Sequence, residues 1–322
     1  MRFRLSTNIV AMLLGAAASA AAAQTYPAKP VRVIVPYAAG GGTDTVARFI
    51  AQQITPQWGQ QMIVDNRPGA GTNIGTEAVV KAPADGYTLL MGGAANAINM
   101  SLLRKVSYDT TKDLAPIVLC TVGANILSVH PSLPAKTVRD VIQLAKARPG
   151  QLNFASAGVG SSNHMAGELL KMMANINIVH VPYKGNTPAM ADAVGGHVEM
   201  VFAGITATIP FMKSNRLRAI AVSSKTRFPA LPDLPTFHES GVPGFETSTW
   251  FGLLAPAGTP GPVIAKINGD VGKILASSEM RERLISMGQV AGGESPEAFG
   301  RFIREEIARY AKIIKAADIP LQ

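Results

Sequence analysis

The chain has 322 residues, 47% hydrophobic and 16% charged, with 30 Lys and Arg against 21 Asp and Glu and a formal net charge of +9. Such a length and apolar content can bury a sizeable core, set a prior of two domains, and exclude an intrinsically disordered chain. The basic residues are scattered, without a dense stripe or interleaved aromatics, so a nucleic-acid partner is excluded and anionic ligands are weakly favoured.

Residues 1–23 place Arg2 and Arg4 before an alanine-rich apolar stretch that ends in Ala21-Ala22-Ala23. That is the layout of a cleavable secretory signal peptide, and the stretch is short for a bilayer span, which needs roughly 20 apolar residues. No cysteine stands near the cleavage point, so the expectation is a soluble periplasmic protein and not a lipoprotein. Cys120 is the single cysteine. It allows no intrachain disulfide, and its place in the apolar run 117–122 reads as a small buried hydrophobe.

Beyond the leader, short apolar runs alternate with longer amphipathic stretches, the pattern of a sheet with crossover helices. Strands are expected over 31–35, 62–64, 87–91 and 117–122, with helices over 43–54 and 74–81. After Pro131 and Pro134, Thr137 is placed to cap a helix over 138–147. Strands at 152–156, 178–181, 200–202 and 217–222 follow, with helices at 161–173, 188–194 and 207–214. Pro229, Pro232, Pro235 and Pro243 break the chain before a strand at 249–255, and the tail is helical over 262–276, 279–287 and 296–316. Helices without their own sheet need one to pack on. The tail is therefore expected to return to the first domain, making it discontinuous, with lobe 1 over 24–123 plus 247–322 and lobe 2 over 124–246. The crossings fall near 121–124 and 245–248.

Two glycine-rich loops each follow an apolar run and open a helix. The first reads Pro36-Tyr37-Ala38-Ala39-Gly40-Gly41-Gly42-Thr43-Asp44, and the second Ser156-Ala157-Gly158-Val159-Gly160-Ser161-Ser162. Glycine lets backbone N–H groups approach a ligand, and a helix N-terminus offers unpaired donors with partial positive charge. Such loops bind anions, and two of them suggest a small carboxylate or phosphate held from two sides. Asp44 either caps its helix or faces the ligand, through a water or an amino group. Ser161 and Ser162 can cap the second helix and donate hydroxyls. Tyr37 and Tyr183 either wall the cleft or pack in the core.

Other chemistries find little support. His164 follows Ser161 by three residues, but Gly160-Ser161-Ser162-Asn163 departs from the G-x-S-x-G elbow and no acid is placed to orient the imidazole. The five histidines have no pair at zinc-motif spacing, and the glycine loops have no Walker lysine and serine. No catalytic residue, metal or cofactor is expected.

Five ordered segments resemble the Bug family of periplasmic solute-binding receptors, which serve tripartite tricarboxylate transporters: Tyr26-Pro27-Ala28-Lys29-Pro30, the first glycine loop, Val64-Asp65-Asn66-Arg67-Pro68-Gly69-Ala70-Gly71, Pro83-Ala84-Asp85-Gly86-Tyr87-Thr88-Leu89, and Val181-Pro182-Tyr183-Lys184-Gly185. The resemblance covers the chain beyond the leader. It implies an α/β, two-lobed periplasmic-binding-protein (venus-flytrap) fold, each lobe a mainly parallel sheet flanked by helices. It further implies a carboxylate held between the glycine loops, partly through ordered waters. The implied ligand-binding residues are Tyr37, Ala38, Ala39, Gly41, Thr43 and Asp44 from the first loop and Ser156, Ala157, Gly158, Gly160, Ser161 and Ser162 from the second, with Tyr183 and Ala203. Many relatives carry an acid soon after the strand at 200–202, where this chain has Ala203-Gly204, a departure that disfavours ligands bearing an amino group. The implied partners are a small carboxylate and the permease subunits of a tripartite transporter, served by a monomer. The alternative is a sensing subunit that signals to a membrane histidine kinase.

Overall fold

A computed structural model describes residues 26–321, so the expected leader at 1–23 lies outside the described residues. The chain begins with β1 (Val31–Val35), α1 (Gly42–Trp58), β2 (Met62–Asn66), α2 (Asn73–Val80), β3 (Thr88–Gly93), α3 (Ala94–Leu102) and β4 (Leu114–Gly123). It continues through β5 (Asn125–Val129), α4 (Val138–Ala147), β6 (Asn153–Ser156), α5 (Ser162–Ala174), β7 (Val179–Pro182), α6 (Asn186–Gly195), β8 (Met200–Gly204), α7 (Ile205–Lys213) and β9 (Arg218–Val222). The last part comprises β10 (Thr249–Pro256), α8 (Gly261–Ala276), α9 (Ser278–Ser286), β11 (Gln289–Ala291) and α10 (Pro296–Ala316).

Local chemistry accounts for these elements. The β-branched run of β1 is buried except at Arg32, as suits an inner strand. Helix α1 turns Val46, Phe49, Ile50 and Ile54 to the core and stops at Gly59, which adopts the left-handed φ of 61°. Thr137 caps α4 as expected, accepting the Asp140 N–H at 3.1 Å. Helix α10 opens with Ser295 as cap and Pro296 in its first turn, and buries Phe299, Ile303, Tyr310, Ile313 and Ile314 along one face.

The strands form two sheets, ordered β11-β4-β10-β3-β1-β2 and β7-β6-β8-β5-β9, each flanked by helices, and these are the two lobes. Both sheets are mixed, which corrects the expectation of mainly parallel sheets. Pairs β1–β2, β1–β3, β6–β7 and β6–β8 are parallel, whereas β3–β10, β10–β4, β4–β11, β8–β5 and β5–β9 are antiparallel. The cause lies in the crossings. Strands that feed a βα turn all run toward the junction of the lobes, and β4 runs the same way. With only Ala124 between them, β4 continues into β5, which therefore enters the second sheet from the junction, against its neighbours. Strand β10 returns to the first sheet in the same manner.

The lobes share apolar packing. One cluster runs from Ile98 and Leu102 of α3 through Trp250, Phe299 and Tyr310 to Leu127, Phe154 and Phe202 of the second sheet. Cys120 is buried in the first sheet, as expected, and burial pushes its thiol up to about 12. Three elements escape the sequence reading: α3, β5 and the short β11.

Candidate functional site

Strands β1, β3, β6 and β8 all end at the junction of the lobes, and each hands over to a helix through a glycine-bearing turn. The junction is thus faced by the N-termini of α1, α3, α5 and α7, which concentrates orphan N–H donors and positive helix ends in one place.

The first loop is an open turn. Ala38, Ala39, Gly40 and Gly41 are exposed, while Thr43 and Asp44 are buried. Gly40 has a φ of +82°, and a Cβ added there or at Gly41 would meet nothing beyond the loop's own Ala38 carbonyl. The cap of α1 is Gly41, which supplies no side-chain acceptor, and the first helical bond runs from Thr45 N–H to Gly41 O. Gly42, Thr43 and Asp44 therefore present N–H groups that take no acceptor among the described residues.

Asp44 points inward and ties the turn from behind. Its carboxylate accepts from Gly40 N–H at 2.8 Å, from Arg48 Nε at 3.0 Å and from Asn66 Nδ2 at 3.0 Å. Burial pushes this carboxyl up, but the Arg48, Gly40 and Asn66 donors together with the Arg48 charge outweigh it, and the group lies below the usual carboxylate range. Asn66 also donates to Tyr37 O at 3.1 Å, so the C-terminal end of β2 braces the loop.

The second loop is tighter, with Ser156, Gly160 and Ser162 buried and Val159 exposed at its tip. Gly158 and Gly160 take φ of +126° and +77°, and a Cβ on Gly158 would come within 2.8 Å of Tyr183 O. The Ser156 and Ser161 hydroxyls are used internally. Ser161 Oγ donates to Gly158 O at 2.7 Å and accepts His164 N–H at 3.2 Å as the cap of α5, while Ser156 Oγ accepts Gly158 N–H at 3.0 Å. Ser162 and Asn163, in the first turn of α5, keep N–H groups with no acceptor among the described residues.

Beneath this loop two imidazoles stack. The rings of His164 and His180 lie 4.1 Å apart at 21°, with Phe154 stacked on His180 at 4.9 Å. Gly160 N–H donates to His164 Nδ1 at 3.4 Å, and Ser156 Oγ, which also lies 3.3 Å from Gly158 O, pairs with His180 Nε2 at 2.7 Å. Burial, then His180 and Lys171, push His164 down to about 3, and burial, then Lys171, push His180 down to about 4. The pair is neutral at neutral pH. His164 thus serves the loop and not a hydrolytic pairing with Ser161.

Helix α3, absent from the sequence reading, meets both loops. The Tyr37 hydroxyl sits against its start, where a Cβ on Gly93 would lie 3.2 Å from Tyr37 Oη, and burial pushes the Tyr37 phenol well up. Gly160 abuts Asn99 and Leu102 toward its other end, where a Cβ would lie 3.1 Å from Leu102 Cδ2. Its signal was present as Gly92-Gly93 followed by Asn96, whose Oδ1 accepts Gly93 N–H at 2.9 Å. Tyr183 is half-buried, and its hydroxyl donates to Asp192 at 2.7 Å. The Ala203 methyl packs in the apolar cluster with Ala155, Ala189 and Met190, so only its backbone adjoins the junction, and it is Gly204 that faces open space. Ala157 stands where its carbonyl accepts Gly185 N–H at 3.0 Å. A separate surface groove of about 460 Å³ lies along α1 and β2, lined by Arg48, Gln52, Thr55 and Met62 among others.

A family profile described as the tripartite tricarboxylate transporter family receptor matches residues 46–319. Protein BugT of Bordetella pertussis is 35% identical over 307 residues, covering 95% of this chain and 94% of the relative. Among solved structures, a protein of R. palustris with adipate is 38% identical at a TM-score of 0.87, covering 92% of this chain and 99% of the other. MatC of Rhodopseudomonas palustris, with bound malate, is 32% identical at a TM-score of 0.83, covering 90% and 100%.

Proposed function

The chain belongs to the tripartite tricarboxylate transporter receptor family, and we propose that it captures a small carboxylate between its two glycine loops and presents it to the permease subunits of such a transporter. The family is one of receptors, so no reaction is assigned to the site. The observation that carries the reading is the set of unpaired N–H groups at Gly42, Thr43 and Asp44 and at Ser162 and Asn163, on helices whose ends face the same junction. The adipate and malate of the two solved relatives agree with an anionic ligand.

In this reading the backbone does the binding. Residues 37–44 and 156–162 replace the hydration of the carboxylate with N–H donors, directly or through a water. Asp44, Ser156 and Ser161 shape the turns, Tyr37 and Tyr183 flank the cleft, and Ala203 contributes backbone alone. Lobe 1 comprises 24–123 plus 247–322 and lobe 2 comprises 124–246, with closure about the crossings at Ala124 and 245–248. A ligand drives closure only through its preference for the closed state. Cleavage of the leader at 1–23 delivers a periplasmic monomer.

A thermal-unfolding screen of the mature protein against carboxylates and their amides tests this. A ligand at 100 times its dissociation constant stabilises by roughly 2.7 kcal/mol, a rise of several degrees for a chain of this size. Stabilisation by a carboxylate and not by its amide supports the reading, and equal responses to both contradict it.

A further inference from the structure

Helix α10 lies beside the first sheet but reaches the second lobe. It packs against α3 and β4 of the first and against α5, which opens from the second glycine loop. Its Tyr310, Ile313 and Ile314 belong to the apolar cluster that also holds Met165 and Leu169 of α5. One helix therefore spans both lobes.

The same helix grips the return crossing. Ser248 Oγ donates to Glu306 Oε2 at 3.1 Å, Tyr310 Oη donates to Ser248 O at 3.2 Å, and Arg309 pairs with Glu246 at 3.4 Å and with Glu306 at 3.2 Å. Thr247, between these anchors, bonds the other way. Its N–H donates to Ser223 O at 3.0 Å and its carbonyl accepts Ser223 Oγ at 2.8 Å, while that hydroxyl accepts Asn125 N–H at 2.9 Å and so ties in the outward crossing. Residues 246 and 248 are thus fixed to α10, and residue 247 to the end of β9. No slack remains in this hinge, so rotation of one lobe on the other has to load the bonds at Ser248.

Glu306 is 1% exposed and Tyr310 is fully buried, so neither is open to a ligand. Burial, with the Glu246 charge, holds the Glu306 carboxyl above its ordinary range against the pull of Arg309, Ser248 and Trp250. A buried ion pair of this kind adds little net stability. What it does is hold the crossing.

We propose that α10 is a strap that sets the balance between joined and parted lobes, with Glu306 and Tyr310 as its clasp on Ser248. The inference rests on the carboxylate-receptor reading and adds a regulating element to its cleft. In the arrangement described, Gly160 of the second loop abuts Asn99 and Leu102 of α3, so the clasp favours joined lobes. Loosening it lowers the fraction of protein competent to bind, and apparent affinity falls with that fraction although no ligand contact is lost.

The test compares Ser248→Ala/Tyr310→Phe, which removes both bonds to the crossing with little change of volume, with Ser248→Thr, which keeps the hydroxyl. Spin labels at Lys112→Cys and Gln151→Cys, exposed positions just before β4 and β6, report the distance between the lobes by double electron–electron resonance. Calorimetric titrations with succinate, malate, glutarate and adipate report affinity. In the double variant the ligand-free distance shifts and broadens, saturating ligand restores the wild-type distance, and affinity falls about fivefold or more. Ser248→Thr matches the wild type in all three. Unchanged distances overturn the strap even if the melting temperature falls, and so does a shifted distance with affinity within about twofold of wild type. Failure of all four carboxylates to bind folded wild-type protein overturns the receptor reading, while the ligand-free distances still decide the strap.

Discussion

The two glycine loops have the same outline of strand, turn and helix start, yet they are held from behind by opposite means. The loop of lobe 1 is exposed at its tip and tied by a buried carboxylate, Asp44, whose charge is met by Arg48 and by the Gly40 and Asn66 donors. The loop of lobe 2 is packed down on two neutral stacked imidazoles and bonds its own serine hydroxyls. Neither arrangement leaves an uncompensated charge facing the junction. In the proposed site, anion capture falls to backbone N–H groups, with side chains fixing their direction.

The largest expected effect separates the loops by steric demand. Gly41→Asp has room and an ordinary φ, so it introduces a repelling charge into an intact fold. Ligand affinity falls by about 100-fold or more, equivalent to roughly 2.7 kcal/mol, while the melting temperature holds. Gly158→Asp loses binding too, but its φ of +126° and the nearby Tyr183 carbonyl make it lower the melting temperature as well. Equal melting temperatures for the two variants would break the contrast.

Next comes the brace of the first loop. Asp44→Ala strips Gly40, Arg48 and Asn66 of their shared acceptor and costs roughly 1–3 kcal/mol of stability in denaturant titration. Because the Asp44 carboxyl lies below its ordinary value, its contribution is present above the unfolded value and is lost as the pH falls through the folded one. An unchanged unfolding midpoint for Asp44→Ala would remove the brace from the account.

The imidazole pair of the second loop predicts a different pH window. Both histidines titrate lower in the folded state, at about 3 and about 4, than the ordinary 6.5, so the unfolded chain binds more protons between those limits. Their contribution is complete above about pH 6.5 and declines as the pH falls toward 4. Melting temperatures of a His164→Gln/His180→Gln variant should show a flatter slope than the wild type across that window, and parallel slopes would contradict the pairing. The smallest effect returns to the first loop: Gly40→Ala pays only for its left-handed backbone, about 1 kcal/mol, since nothing crowds the new methyl. A greater loss would show that the open tip is packed in solution.

Much of this was legible in the sequence, for reasons that also mark its limits. Alternating apolar runs disclosed β1, α1, α4 and α10, because each shows a β-branched run or a periodic apolar face, joined at α4 by the recognisable cap Thr137. Helix α3 was not legible, since residues 94–99 are all buried and show no amphipathic stripe. Strand β5 hid behind β4 with a single residue between them, and with it the antiparallel pairings that make both sheets mixed. At the site, glycine spacing revealed where donors gather, but not which hydroxyls are already engaged. Ser156 and Ser161 look like ligand donors in the sequence, and local partners at His180 and Gly158 claim them in the fold. Ala203 likewise turns its methyl into the core.

A crystal structure of the protein with a carboxylate selected by the thermal screen tests the central claim most directly. The account predicts one carboxylate group between the turns at 41–44 and 161–163, its oxygens about 2.7–3.1 Å from backbone N–H groups or joined to them by a single water. A carboxylate seated in the groove along α1 and β2, with only solvent between the two glycine loops, would contradict it.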